Sequence, residues 1–264
     1  MFEQIILGII QGIFEWLPVS SEGVIVLIEK NFFNSQLGLE DIIRKALFLH
    51  LGTFLAALIY FRKDVLNLIK ALFNYKSVDS ETQKVFKFIV ITSLIGGFFG
   101  FILMKVFTGL EDQLGLSTKI ITLVVGLLLL ITGGLQIRAK NIKNSQIKKI
   151  ENKDSILLGF VQALAALPGL SRSGLTVSAL LLRRFDGASA LKLSFLMSMP
   201  MVLGGNLILN LKEFTFSLEM FLGLIFSFVF GLLTIGLLLK IARKINFGWF
   251  VLIFGIVIIA LMFV

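Results

Sequence analysis

The chain has 264 residues, of which 57% are hydrophobic and only 16% charged, with a mean hydropathy of +0.96; a soluble domain carries about a quarter charged residues. It contains no cysteine, which excludes disulfides and thiolate metal sites. The net charge of +9 suggests nucleic acid, but the Lys and Arg lie between apolar runs, where cytoplasmic retention of loops accounts for them, so nucleic acid is rejected as a partner.

The chain opens Met1-Phe2-Glu3-Gln4, without the basic start of a cleaved signal peptide. Segment 4–29 is apolar but broken by Pro18 and a Ser/Gly cluster. A 30–45 loop precedes a run at 46–61, and a basic connection with Arg62, Lys63, Lys70, Lys76 and Lys84 precedes a run at 86–107. Glu111 and Asp112 mark a 108–117 loop, and a third run covers 118–137. Arg138, Lys140, Lys143, Lys148, Lys149 and Lys153 crowd the next connection. Segment 156–181 is apolar and broken again, at Pro168-Gly169. Runs at 190–210, 217–239 and 247–264 follow, separated by Glu213 and Glu219 on one side and by Lys240, Arg243 and Lys244 on the other.

Each of the six unbroken runs is about the 20 helical residues that a bilayer core requires, and their continuity predicts helices and not a barrel. The positive-inside rule puts the three basic connections in the cytoplasm and the 108–117 and 211–219 loops outside. Segment 156–181 then has to enter and leave on the cytoplasmic side, so it dips and returns. If 4–29 dips likewise, the N-terminus is outside.

The two broken segments match at a constant offset. Gly8 pairs with Gly159, Gln11 with Gln162, Ser20 with Ser171 and Gly23 with Gly174, while Pro18 and Pro168 miss by one position. Dips entering from opposite sides make an inverted-topology repeat with interrupted helices near the bilayer middle. The expected fold is an all-α polytopic membrane protein with about six transmembrane helices and two re-entrant helix pairs. It forms one membrane domain over 1–264, with repeats at about 1–137 and 156–264 and a basic cytoplasmic linker at 138–155.

Ionisable groups inside a membrane are costly and therefore candidate functional residues. Glu15 and Arg172 are such groups, one in each dip; an ion pair between the dips is the structural alternative and is compatible with function. Ser171, Arg172, Ser173 and Thr176 put hydroxyls and a guanidinium on one turn at a helix start, which suits a phosphate. Ser20 and Ser21 form the matching turn. Gln11 and Glu15, four apart on one helix face, offer hard oxygen ligands for Mg²⁺ or Ca²⁺. His50 is the only histidine, and a lone histidine is more often structural than catalytic. Glu22 is a second carboxylate, in the site or at its rim.

At these residues the sequence resembles the undecaprenyl pyrophosphate phosphatase, or bacitracin-resistance, family. Gln11-Gly-Ile-Phe-Glu15-Trp-Leu-Pro18-Val-Ser-Ser21 resembles its first signature and Pro168-Gly169-Leu-Ser171-Arg172-Ser173-Gly174-x-Thr176 its second. Leu49-His50-Leu-Gly52-Thr53 and Ser194-Phe-Leu-Met-Ser198-Met-Pro200 match further family positions. The resemblance implies a lipid pyrophosphatase that recycles the C55 carrier of cell-wall synthesis, with polyprenyl pyrophosphate and membrane lipids as partners. It implies a site open to the extracytoplasmic side of the cell (inner) membrane and a divalent cation, and it leaves a homodimer open. Glu15 is then the essential carboxylate, Ser21 the nucleophile or a phosphate ligand, and Arg172 the phosphate clamp. One departure stands out: the family's histidine after Ser-Ser-(Ser/Thr)-Gly falls on Val24, and its small hydroxyl residue on Glu22. Glu22 or Glu15 could serve as base, His50 could replace the imidazole from another helix, or the protein could be a non-hydrolytic polyprenyl-phosphate binder or flippase.

Overall fold

The computed structural model describes residues 1–140, 149–210 and 217–260. Among them eleven α-helices and one 3-10 turn at Tyr75–Ser77 occur, with no strand. The helices are α1 (Phe2–Phe14), α2 (Ser21–Asn31), α3 (Leu39–Tyr60), α4 (Arg62–Phe73), α5 (Ser80–Leu114), α6 (Thr118–Lys140), α7 (Asn152–Leu164), α8 (Arg172–Leu182), α9 (Gly187–Leu209), α10 (Leu218–Lys244) and α11 (Phe247–Ala260). Lys143, Lys148 and Glu213, used above to orient the chain, lie outside the described residues.

Polarity is distributed for a lipid solvent. Leu94, Phe98 and Leu233 are more than 60% exposed, whereas Gln11, Thr132, Thr176, Ser194 and Ser227 are fully buried. Apolar side chains outside and polar ones inside fit an integral membrane protein, where lipid tails replace water. Five helices, α3, α5, α6, α9 and α10, are long and apolar enough to span. Of the sixth expected run, 247–264, the described part is α11, 14 residues long, and 261–264 lie outside the described residues.

Three stretches read as loops are partly helical. Apolar residues at 66, 69, 72 and 73 share a face of α4 and are exposed; this i, i+3, i+6/i+7 spacing is that of an amphipathic surface helix. Helix α3 begins at Leu39, inside the expected 30–45 loop. Helix α5 runs 35 residues, about 50 Å at 1.5 Å per residue, and takes in most of the 108–117 loop. Glu111 is consequently buried, and its carboxylate accepts from the Leu39 backbone N–H at 2.8 Å, satisfying a donor at the start of α3.

The broken segments fold alike. Helices α1 and α7 have 13 residues each, and α2 and α8 have 11 each. Ser20 Oγ caps α2 by accepting from Gly23 N at 3.1 Å, and Ser171 Oγ caps α8 by accepting from Gly174 N at 3.1 Å. Each hairpin packs on a helix from the other half of the chain, α1 against α10 and α7 against α5. Glycines allow the close approach: a Cβ on Gly12 would lie 2.8 Å from the Ser227 carbonyl of α10, and one on Gly159 2.7 Å from Ile95 Cβ of α5. Helices α6 and α11 pack together in the same way, with Gly133 facing Gly248.

Candidate active site

The tips interlock through backbone and short side chains. Ser20 Oγ accepts from Gly169 N at 3.2 Å, and Ser173 Oγ donates to the Leu17 carbonyl at 3.1 Å. Gln136 Nε2 of α6 donates to the Pro18 carbonyl. Gly169 has φ +101°, a conformation open to glycine and strained for other residues. A Cβ on Gly23 would lie 2.9 Å from Gly169 N, so glycine is required on both faces of this crossing.

Across the crossing, the Arg172 guanidinium donates to Glu15 Oε1. Arg172 is held by a second bond, from its other terminal nitrogen to the Ser194 carbonyl at 3.2 Å, and its guanidinium lies 5.6 Å from the centre of the Phe195 ring. Glu15 Oε2 accepts from Gln11 Nε2 at 2.9 Å and from Ser21 Oγ at 3.2 Å, with His50 Nε2 also at 3.2 Å. Trp16, next to Glu15, fixes this tip by donating its indole N–H to the Gly231 carbonyl at 3.0 Å.

His50 is thus a neighbour of the buried carboxylate. Its Nδ1 lies 2.7 Å from the Ala46 carbonyl. Carbonyl and carboxylate oxygens both only accept, so the ring satisfies both with a proton on each nitrogen. This is the arrangement expected if His50 supplies the imidazole from another helix, and α3 brings it to Glu15 from outside both hairpins.

Glu15, Ser20, Ser21, Glu22, His50, Ser171, Arg172 and Ser173 border one small polar cavity. Glu22 Oε1 is buried there without a hydrogen-bond partner. Two of the expected site residues stand behind this wall. Gln11 is fully buried behind Glu15, with its Oε1 unpartnered. The Thr176 hydroxyl bonds the Arg172 carbonyl at 2.8 Å and the Ser194 hydroxyl at 2.7 Å, so it supports the Arg172 turn from within. Thr53, Ser194 and Phe195 complete the surroundings; none belongs to either signature. A second, largely apolar cavity of about 490 Å³ meets the polar one at Glu22, His50, Ala165 and Arg172 and runs between α3, α5, α7 and α9. A small polar chamber opening on an apolar channel suits an amphiphile with an anionic head.

A family model described as bacitracin resistance protein BacA matches residues 4–259. The chain belongs to this family. The chain is 41% identical over 265 residues to a relative named undecaprenyl-diphosphatase from Methanococcoides burtonii, covering 99% of this chain and 98% of that one. Relatives of the same name from Methanothrix thermoacetophila (34% identical, 98% and 96% covered) and Haloarcula marismortui (36%, 95% and 93%) match over similar lengths. Within this BacA chain, Val24 is buried in the apolar cluster with Leu7 and Ile25. The imidazole in contact with Glu15 comes from His50 instead.

Proposed function

We propose that this BacA-family protein hydrolyses undecaprenyl pyrophosphate to undecaprenyl phosphate and inorganic phosphate, recycling the lipid carrier of cell-wall synthesis. The observation that carries this reading is the meeting of Glu15, Ser21, His50 and Arg172 at the junction of a polar chamber and an apolar channel. The names of its relatives agree with it.

The pyrophosphate head enters the chamber and the isoprenoid chain lies in the channel. The terminal phosphate competes for the donors that now face Glu15. Arg172 grips it bidentately, as a planar fork can, and the Ser171–Ser173 turn adds hydroxyl and backbone donors. Glu15 loses those donors and becomes a stronger base toward the Ser21 hydroxyl it already contacts. Ser21 Oγ attacks the terminal phosphorus and passes its proton to Glu15. The bond from that phosphorus to the bridging oxygen breaks, and His50 protonates the departing oxygen. Water then cleaves the phosphoserine, releasing inorganic phosphate. A divalent cation, Mg²⁺ or Ca²⁺, would neutralise phosphate charge, held through the unpartnered Gln11 Oε1 and through Glu15 Oε1, the oxygen that does not face Ser21; both are hard oxygen donors. Glu22 Oε1 is a third donor of this kind.

In this reading the protein sits in the cell (inner) membrane with the chamber open to the extracytoplasmic side, where the spent carrier is produced, and its repeats divide at about 1–137 and 156–264. The non-hydrolytic alternative draws on Val24; the contact of His50 with Glu15 favours hydrolysis. Glu15→Gln tests the assignment. It should lower kcat by about a hundredfold or more, the scale of losing a positioned base; because it leaves Arg172 without its buried carboxylate, thermal melting confirms that the variant is folded at the assay temperature. A wild-type rate would remove Glu15 from the reaction.

A further inference from the structure

Gln11 and Gln162 occupy matching positions in the two hairpins, yet they differ in what they bond. Gln11 Nε2 is used on Glu15 and lies 3.5 Å from Thr53 Oγ1. Four residues after Gln162, the counterpart of Glu15 is Ala166. Gln162 is 3% exposed, and neither atom of its amide has a partner. Ser93 Oγ of α5 is buried and unpartnered as well. Gln162 packs against Gly96, one helical turn from Ser93; a Cβ there would lie 3.0 Å from its Nε2. Both side chains border the apolar channel, along with Glu22, His50 and Arg172.

Buried polar groups are nearly always paired in native interiors. An isoprenoid chain offers no hydrogen bond, so it cannot be what these groups face. Between them an amide N–H₂ and a hydroxyl supply three donors, a match for the acceptor-only oxygens of a phosphodiester-like group. Arg172 and the Ser171–Ser173 turn already account for one phosphate. We propose that Ser93 and Gln162 form a subsite for the lipid-linked phosphate, the group that departs with the prenyl chain. The second hairpin thus carries the matching amide without the carboxylate and uses it for binding. Neutral donors there stabilise the charge that develops on the leaving group. The Gln162 carbonyl oxygen is left to accept from water or from the protonated monoester.

The identity of the cleaved bond rests on the phosphatase reading; the binding does not. The test uses the purified full chain in detergent and three probes: farnesyl monophosphate, farnesol and inorganic phosphate. Gln162→Met and Ser93→Ala should each weaken farnesyl monophosphate about tenfold, the scale of a hydrogen bond to a charged group. Farnesol and inorganic phosphate affinities should stay within about twofold. Arg172→Lys should instead weaken inorganic phosphate. Unchanged monophosphate binding in both variants would overturn the subsite, as would equal losses for monophosphate and alcohol. Ser93→Ala removes one oxygen, so the result stands even if Gln162→Met folds poorly. If the subsite binds as expected but no phosphate is released from a prenyl pyrophosphate, the phosphatase reading fails and the subsite remains.

Discussion

Arg172→Lys keeps the positive charge and removes the shape. In the structure the guanidinium meets three groups at once: Glu15 Oε1, the Ser194 carbonyl at 3.2 Å and the face of Phe195 at 5.6 Å. A lysine ammonium is a point charge on a flexible stem, and from this backbone position it can serve Glu15 or the Ser194 carbonyl but not both. Losing one charge-assisted hydrogen bond costs about 1.5–3 kcal/mol. If that bond is realised on the phosphate in the transition state, kcat/KM should fall about tenfold to a hundredfold, since each 1.4 kcal/mol or so is a factor of ten. The assay is steady-state phosphate release from a prenyl pyrophosphate in detergent, with thermal melting of the same samples to confirm the fold. Near-wild-type kcat/KM in a folded Arg172→Lys protein would take Arg172 off the substrate.

Gly23→Ala pushes a methyl to within 2.9 Å of Gly169 N and 3.0 Å of Ser20 Oγ. Overpacking against backbone costs about 1–3 kcal/mol, so melting temperature and kcat should both fall; a variant as stable and active as wild type would show that the tips need not stay this close. Glu22→Gln removes a buried, unpartnered carboxylate oxygen and should lower kcat and raise the cation concentration for half-maximal rate. Unchanged rate and cation dependence would leave Glu22 with no part in the chemistry. Cysteines at Gln113 and Ser145 should divide under an impermeant thiol reagent on intact cells, with 113 labelled and 145 protected. The reverse pattern would invert the orientation.

The sequence made the hairpins legible because their signals are local. Pro18 and the Pro168-Gly169 pair break apolar runs, and Ser20 and Ser171 stand three residues before Gly23 and Gly174, which is the capping spacing seen in both helices. The pairing of Glu15 with Arg172 was legible as well, since each is an ionisable group inside an apolar segment with the other as its available partner. What failed to read from sequence depends on contacts between helices distant in the chain. Nothing local places His50 on Glu15, because the register of α3 against α1 sets that distance. Thr176 reads as a phosphate ligand from its position after Ser171-Arg172-Ser173, but helical periodicity turns it inward to Ser194. The charges of 108–117 suggested a loop, whereas Glu111 is spent on the N-terminus of α3. In α4, basic residues masked an apolar stripe that the 3.6-residue period reveals.

Hydrolysis at the joined hairpin tips has to proceed with Val24 where the family carries its histidine. Its most direct measurement is phosphate release by the purified protein given undecaprenyl pyrophosphate with Mg²⁺ or Ca²⁺, with both products quantified. Sustained turnover is expected, with one inorganic phosphate for each undecaprenyl phosphate formed, and Glu15→Gln should lower it about a hundredfold or more. Tight binding of the lipid with no phosphate released under any cation would contradict it and leave a carrier for lipid phosphates.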